Sequence, residues 1–120
     1  MAGFKKFEEI HAWQKARLAT KRVYELTGEG KFAKDFGLRD QIRRSAVSIM
    51  ANISEGQGRF SNKEFANFLN MAHGSVAETQ SHLYVATDLG YLDGDTFSEL
   101  YNLLGEVAKM TMALIKQLRS

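Results

Sequence analysis

The side chains that could bind a metal ion are three histidines and the acidic residues near them. Bundles with a di-iron centre carry Glu-x-x-His on two helices and a further glutamate on each of the other two. Here that spacing occurs once, between Glu8 and His11, and neither His73 nor His82 has a glutamate three residues before it. Glu78 precedes His82 by four residues, the spacing of an ordinary pair on a helix surface. We therefore predict no metal site.

The chain also lacks the arrangements that create a nucleophile or bind a nucleotide phosphate. It has no cysteine, and no serine lies in a Gly-x-Ser-x-Gly turn. The segment 28–31 is rich in glycine, but it lacks the Gly-x-x-x-x-Gly-Lys-[Ser/Thr] spacing of a phosphate loop, and no strand pattern precedes it. We therefore predict that the protein is not an enzyme and has no cofactor.

Positive charge is concentrated in the first half of the chain. Residues 1–63 hold 13 Lys and Arg against 7 Asp and Glu, a net charge of +6, whereas residues 64–120 hold 3 against 7, a net charge of −4. Spacings of four and seven residues would bring several of these cations together on helices. The candidate nucleic-acid-binding residues are Lys15, Arg17, Lys21, Arg22, Arg39, Arg43 and Arg44.

Two interpretations of this asymmetry stay open. Clustered cations that face solvent bind phosphates, and two aromatic residues, Trp13 and Tyr24, lie near them in the sequence. Alternatively, the cations pair with acidic residues of the second half, such as Glu99 and Glu106, within the fold or between subunits. No groove-reading motif is present, so we expect any binding to RNA or DNA to be electrostatic and weakly sequence-specific.

The elements that must position these residues are four long helices. The chain has no proline, which favours uninterrupted helices, and apolar residues recur every three or four positions. We predict helices at about 7–27, 37–56, 61–89 and 95–119, with capping boxes at 61–64 and 96–99. Because the connections are short, successive helices should be antiparallel. The predicted fold is all-α: one domain, residues 1–120, forming an up-down-up-down four-helix bundle.

The first two predicted helices carry apolar residues outside their core stripes. Second apolar faces of this kind are typical of surfaces that bind another protein, including a second copy of the chain. The alternative is a thick bundle that buries more than half of each helix. The candidate oligomer-interface residues are Ile10, Trp13, Tyr24, Val47 and Met50.

One segment of the second predicted helix combines small polar residues with glycines. Its members are Ser45, Ser48, Asn52, Glu55, Gly56, Gly58 and Arg59. Small polar residues on a buried stripe allow helices to approach closely and can determine their register through hydrogen bonds. We interpret the segment as structural, with a binding role for Asn52, Glu55 and Arg59 as the alternative.

This segment and its surroundings resemble the bacterial four-helix-bundle family associated with intervening sequences in 23S ribosomal RNA genes. The resemblance continues through Ser61-x-Lys-Glu-Phe65, Ala72-x-Gly74-Ser75-x-x-Glu78 and the 88–92 turn, and it extends from about Phe7 to Leu118. Met50 stands where that family commonly has proline. The resemblance implies a left-handed bundle, a ring that is a homopentamer, and no catalytic residues.

The chain is also distantly similar to the accessory protein of diversity-generating retroelements, a basic pentamer that binds nucleic acid and a reverse transcriptase. The cations and this similarity together predict a non-catalytic, ring-forming accessory protein that binds RNA or DNA through the first two helices. The alternative is a scaffold for a partner protein such as a polymerase or nuclease. The sequence shows no signal peptide and no apolar stretch long enough to span a membrane, so we expect a cytoplasmic protein.

Overall fold

The computed structural model describes residues 5–120 and contains only helices over that range. A 3-10 turn at Phe7–Glu9 comes first. The α-helices are α1 (His11–Thr27), α2 (Gly30–Lys34), α3 (Phe36–Gln57), α4 (Asn62–Asp88) and α5 (Gly94–Arg119). The molecule is elongated, with principal extents of 44 × 21 × 19 Å. None of these helices is both long and apolar enough to cross a lipid bilayer.

The four long helices form an antiparallel bundle, as predicted. Helix α1 packs against α3 and α5, and α4 packs against the same two helices from the opposite corner. Side-chain contacts show the antiparallel directions: Lys15 contacts Glu106 and Arg22 contacts Glu99, so residue numbers rise along α1 while they fall along α5. The order around the bundle is therefore α1, α3, α4, α5. The left-handed twist implied by the resemblance stays a prediction.

The core consists of one apolar stripe from each long helix. The stripe predicted for α4 is buried along its whole length, with relative exposures of 0–1% at Phe65, Leu69, Ala72, Val76, Thr79, Leu83 and Ala86. The apolar spacing predicts that Leu114 belongs to the buried stripe of α5. The structure buries Ile115 instead, and Leu114 is only half-buried. At about 3.6 residues per turn, the α4 stripe from Phe65 to Ala86 extends the core through about six turns.

The helix caps explain where α4 and α5 begin. The Ser61 hydroxyl accepts a hydrogen bond of 3.1 Å from the backbone N–H of Glu64, as predicted for the α4 cap. For α5 the prediction of Thr96 as the cap is wrong. Asp93 is the cap, because its Oδ1 accepts a 2.7 Å hydrogen bond from the Thr96 backbone N–H, and the helix already begins at Gly94.

The start of α1 also differs from the prediction. Ile10 is in an extended conformation between the 3-10 turn and α1, and its side chain is only 1% exposed. The proposal that Ile10 contributes to an oligomer interface is therefore wrong: the chain leaves the helical path before this residue, and the side chain turns into the core of its own protomer.

The connection between α1 and α3 contains the short helix α2, which the sequence did not predict. Its Phe32 is 2% exposed and packs against the ring of Tyr91, with ring centroids 5.3 Å apart. The Tyr91 hydroxyl donates a 2.9 Å hydrogen bond to the Asp35 carboxylate, and this bond raises the pKa of Tyr91. Asp35 also caps α3 through the Leu38 backbone N–H. These contacts tie the α4–α5 turn to the start of α3 and close this end of the bundle.

Candidate nucleic-acid interface

The polar residues of the family motif lie along the seam between α3 and α4. Buried Ser45 accepts a 2.8 Å hydrogen bond from the Thr79 hydroxyl. One helical turn further along the seam, the hydroxyls of Ser48 and Ser75 are 3.0 Å apart. The Asn52 amide donates to the carbonyl and hydroxyl of Ser48 at 2.9 and 3.0 Å. The motif therefore links the two helices through hydrogen bonds that an apolar seam would lack.

The end of the motif is equally structural. At Gly56 a Cβ atom would lie 2.6 Å from the Cβ of Phe68, so the two helices approach each other more closely than any side chain allows. Glu55 pairs with Arg59 at 3.1 Å, and the Arg59 guanidinium lies over the Phe68 ring at 4.8 Å. Gly58 has φ −72°, which any residue adopts, so its backbone does not require glycine. The contacts of Gly56 and Arg59 with Phe68 join the end of α3 to α4, whereas the Glu55 and Arg59 side chains stay 56% and 42% exposed.

Two of the seven candidate cations face α5 and are paired there with carboxylates. Lys15 Nζ is 3.1 Å from Glu106, and Arg22 Nε is 3.7 Å from Glu99. Arg22 also lies 3.9 Å from Glu25 on its own helix. Part of the charge asymmetry between the halves of the chain is therefore internal pairing across the α1–α5 groove.

Arg39 is also largely engaged within the protomer. Its Nε donates to Asp40 at 3.0 Å, its Nη1 donates to the Ala33 carbonyl at 3.2 Å, and the guanidinium lies 4.8 Å from the centre of the Phe36 ring. These contacts hold the start of α3 against the end of α2. The neighbouring carboxylate cancels most of the charge that Arg39 would offer a phosphate.

Arg43 bridges α3 and α1 without an acidic partner. Its Nε donates a 2.7 Å hydrogen bond to the Thr27 hydroxyl, and its guanidinium lies 4.4 Å from the centre of the Tyr24 ring. The Tyr24 side chain is 45% exposed, so this guanidinium is held in place by an aromatic ring at the surface. Its positive charge is not neutralised by any side chain among residues 5–120.

Arg17, Lys21 and Arg44 are exposed and form no ion pair within the described part of the chain. The Arg17 guanidinium lies 5.7 Å from the centre of the Trp13 ring. Trp13 also packs against Phe7, whose ring centroid is 5.0 Å away in an edge-on contact. A surface depression of about 390 Å³ opens here, lined by Trp13, Gln14, Arg17, Leu18 and Lys21.

The register of the bundle brings Tyr24 of α1 beside Arg43 of α3. Thr20 donates a 3.2 Å hydrogen bond to the carbonyl of Ala46, which sets α1 against α3 so that Tyr24 lies beside Arg43. Between Arg17 and Arg43, Val47 is 40% exposed and Met50 is half-buried. We call the outer sides of α1 and α3, taken together, the outer α1/α3 face; it carries Trp13, Arg17, Lys21, Tyr24, Arg43, Arg44, Val47 and Met50. Candidates from both predicted sets, nucleic-acid binding and oligomer interface, lie on it.

The pairing of arginines with aromatic rings on this face was not predicted from the sequence. Trp13 and Arg17 are four residues apart on one helix, a spacing from which the contact could have been inferred. Tyr24 and Arg43 lie on different helices, so only the packing of α1 on α3 reveals them.

The histidines take part in ordinary helix contacts. His73 Nδ1 is 3.3 Å from the Thr111 hydroxyl across the α4–α5 seam, and His82 Nε2 is 3.3 Å from Glu78 on the same helix. Among residues 5–120, no three His, Asp or Glu side chains come together as metal ligands would.

Comparison with known proteins gives a matching family model and solved structures of similar fold. The family model described as 23S rRNA-intervening sequence protein matches residues 8–113. A 1.70 Å crystal structure of a protein with unknown function from the S23 ribosomal protein family of Bacteroides thetaiotaomicron superposes with a TM-score of 0.80. The two chains are 28% identical, and the match covers 88% of this chain and 98% of that one. No curated protein matches. On this evidence of sequence and fold together, the chain belongs to the 23S rRNA-intervening sequence protein family.

Proposed function

We propose that the protein is a non-catalytic, oligomeric accessory protein that binds nucleic acid through the outer α1/α3 face. The observation that carries the proposal is a set of four cations on this face, Arg17, Lys21, Arg43 and Arg44, with no carboxylate paired to any of them among residues 5–120. Unpaired cations that face solvent are what a phosphate backbone binds.

Fewer cations support phosphate binding than the sequence predicted. Lys15 and Arg22 contribute little to phosphate binding, because Glu106 and Glu99 already neutralise them. Arg39 is neutralised by Asp40 in the same way. Each subunit therefore offers about four phosphate contacts at most, and each contact adds roughly 0.7–0.9 to the slope of log affinity against log salt.

Self-association would multiply these weak contacts. The resemblance implies a homopentameric ring, in which every subunit presents the same four cations. A polyanion that reaches two or more subunits then binds through effective concentration rather than through any single strong contact. The absence of a groove-reading element from the described helices favours binding that depends on charge more than on base sequence.

A second candidate is a protein interface on the same face. This face carries residue types that are enriched in protein–protein interfaces, namely Trp13, Tyr24, Met50 and the three arginines. Lysine and acidic residues are depleted in such interfaces. The partner would be a protein such as a polymerase or nuclease, or a second copy of the chain. The two uses exclude each other for any one subunit, because a face covered by protein cannot bind phosphate. Lys21 favours the nucleic acid, because lysine is depleted in protein interfaces.

Fluorescence anisotropy of labelled RNA and DNA separates the two candidates. We expect binding at about 50 mM salt, with an affinity that falls by an order of magnitude or more at about 200 mM. The reason is that the release of counterions from the phosphates favours binding less when the salt concentration is high. An apolar protein interface would show little salt dependence. Absence of binding at the lower salt concentration would overturn the proposed function.

A further inference from the structure

The depression beside Trp13 has the chemistry of a nucleobase site rather than of a plain phosphate contact. Its volume of about 390 Å³ lies within the range of pockets that hold small organic ligands. It combines an indole ring, an aliphatic side chain at Leu18 and two cations, Arg17 and Lys21, that pair with no acidic group in residues 5–120. A phosphate alone would need only the cations.

We propose that this depression binds an unpaired base of a single-stranded nucleic acid, which stacks on Trp13 and Arg17 while Lys21 contacts the backbone. The inference rests on the proposed function and deepens it by naming the form of nucleic acid. Bases stack on aromatic rings and on guanidinium planes alike, and here the guanidinium lies over the ring at 5.7 Å.

The site is held in place by the residues around it. Phe7 packs edge-on against Trp13 at 5.0 Å between ring centroids. The Gln14 side-chain amide donates a 2.8 Å hydrogen bond to the Glu8 carbonyl, which anchors the rim of the depression to the turn before α1. A ring held in this way loses less side-chain entropy when a base stacks on it than a free surface aromatic would.

A second aromatic–arginine pair lies further along the same face. Tyr24 lies eleven residues after Trp13 on α1, which is about 16 Å along the helix axis, and it contacts Arg43 of α3. Arg17 and Lys21 lie between the two rings. An extended single strand can therefore contact both aromatic pairs and place a phosphate over Lys21 between them.

Duplex nucleic acid should bind this site less well. In a duplex the bases are stacked on each other and paired, and extruding one of them costs free energy before any contact with Trp13 forms. The backbone contacts remain available to a duplex, so duplex binding should persist at low salt without contact at Trp13.

Trp13 is the only tryptophan of the chain, so its emission reports directly on the site. The experiment titrates the full-length protein at about 50 mM salt with a single-stranded oligonucleotide and with the duplex of the same sequence, following both ligand anisotropy and Trp13 fluorescence. We expect the single strand to bind more tightly and to quench Trp13, and the duplex to bind with little quenching.

Variants separate stacking from charge. Trp13→Leu should weaken single-strand binding by about tenfold and leave duplex binding nearly unchanged, whereas Trp13→Phe, which keeps a ring, should retain most of the preference. Tyr84→Leu removes an exposed ring from the α4 surface and is the matched control. Circular dichroism of each variant checks that the bundle is intact.

Equal binding of single strand and duplex without quenching of Trp13 would overturn this inference and leave the proposed function standing. Binding of neither form would overturn both.

Discussion

The hydroxyl of Thr79 on α4 donates a 2.8 Å hydrogen bond to the hydroxyl of Ser45 on α3, and both side chains are buried, with exposures of 0% and 3%. Each hydroxyl also contacts a carbonyl of its own helix: Ser45 that of Ile42, and Thr79 that of Ser75. The pair therefore links two helices while leaving each partner a local alternative.

This relationship predicts the result of a double-mutant cycle. Ser45→Ala and Thr79→Val should each lower the free energy of unfolding by about 0.5–1.5 kcal/mol, the net value of a typical hydrogen bond. The double variant should lose less than the sum, because either change alone already breaks the bond. Urea unfolding of the four proteins measures the coupling. Strict additivity would show that the bond contributes nothing.

Two glycines of the bundle should respond in opposite ways to alanine. Gly56→Ala places a Cβ atom 2.6 Å from the Phe68 Cβ and 3.0 Å from a Phe65 ring carbon, so it should destabilise the protein by about 1–3 kcal/mol. Gly74→Ala is the matched control in the middle of α4, where a Cβ atom meets nothing within 4 Å. It should stabilise the protein by about 0.5–1 kcal/mol, since alanine is the better helix former.

Thermal unfolding of both variants makes the comparison. Equal effects of the two substitutions would contradict the close approach of α3 and α4 at Gly56.

The cap of α5 makes stability depend on acid. Hydrogen bonds from Thr96 to the Asp93 carboxylate lower the pKa of Asp93 below its ordinary value of 3.8. Because the pKa of Asp93 is lower in the folded state, its carboxylate stabilises the fold at any pH above the unfolded-state pKa. This stabilisation is lost as the pH falls through the folded-state pKa. Asp93→Asn keeps an acceptor but cannot titrate, so its melting temperature should fall less than that of the wild type below about pH 4.

The same cap can be located by substitution at neutral pH. Asp93→Ala should lower the melting temperature more than Thr96→Ala, because Asp93 accepts the hydrogen bond from the free backbone N–H at the helix start. The reverse order would show that α5 begins at Thr96.

The assembly predicted from the resemblance is tested by molar mass. Light scattering after size exclusion should give a particle five times the 13.5 kDa mass of the chain. Val47→Glu places a charge on the outer α1/α3 face without removing a cation. If this face binds nucleic acid and not another subunit, the variant should keep the mass of the wild type. A monodisperse monomer would contradict the ring, and loss of assembly only in Val47→Glu would assign the face to the subunit interface.

Regular helical periodicity made most of the fold predictable. The α4 stripe from Phe65 to Ala86 follows one face of an uninterrupted helix, so spacing alone identifies seven of the eight buried positions of α4 and misses Ala66. Ile10 was misassigned because the same reasoning assumes that the chain is helical there, and its backbone is extended. Asp93 was missed because Thr96-Phe97-Ser98-Glu99 matches a capping box, which indicated a later start of the helix.

The candidate site was less predictable than the fold for a physical reason. Charge and spacing identify cations on α1 and α3, but they do not say which helix lies beside each one. Lys15 and Lys21 are both lysines on α1, yet the packing of α5 neutralises the first and leaves the second exposed. The contact between Tyr24 and Arg43 likewise depends on the register of two helices. Tertiary packing, which local sequence does not encode, decides which charges a ligand can reach.

The central claim is that the unpaired cations of the outer α1/α3 face bind phosphate, and matched charge variants test it most directly. The pair Arg17→Gln and Lys21→Gln removes two unpaired cations from α1, and the pair Lys15→Gln and Arg22→Gln removes two cations that are already paired with α5. The measurement is the slope of log affinity against log salt for a labelled oligonucleotide. We expect the first double variant to lose about 1.4–1.8 from the slope and the second to lose little. Equal losses in the two double variants would show that only net charge matters and would contradict the site.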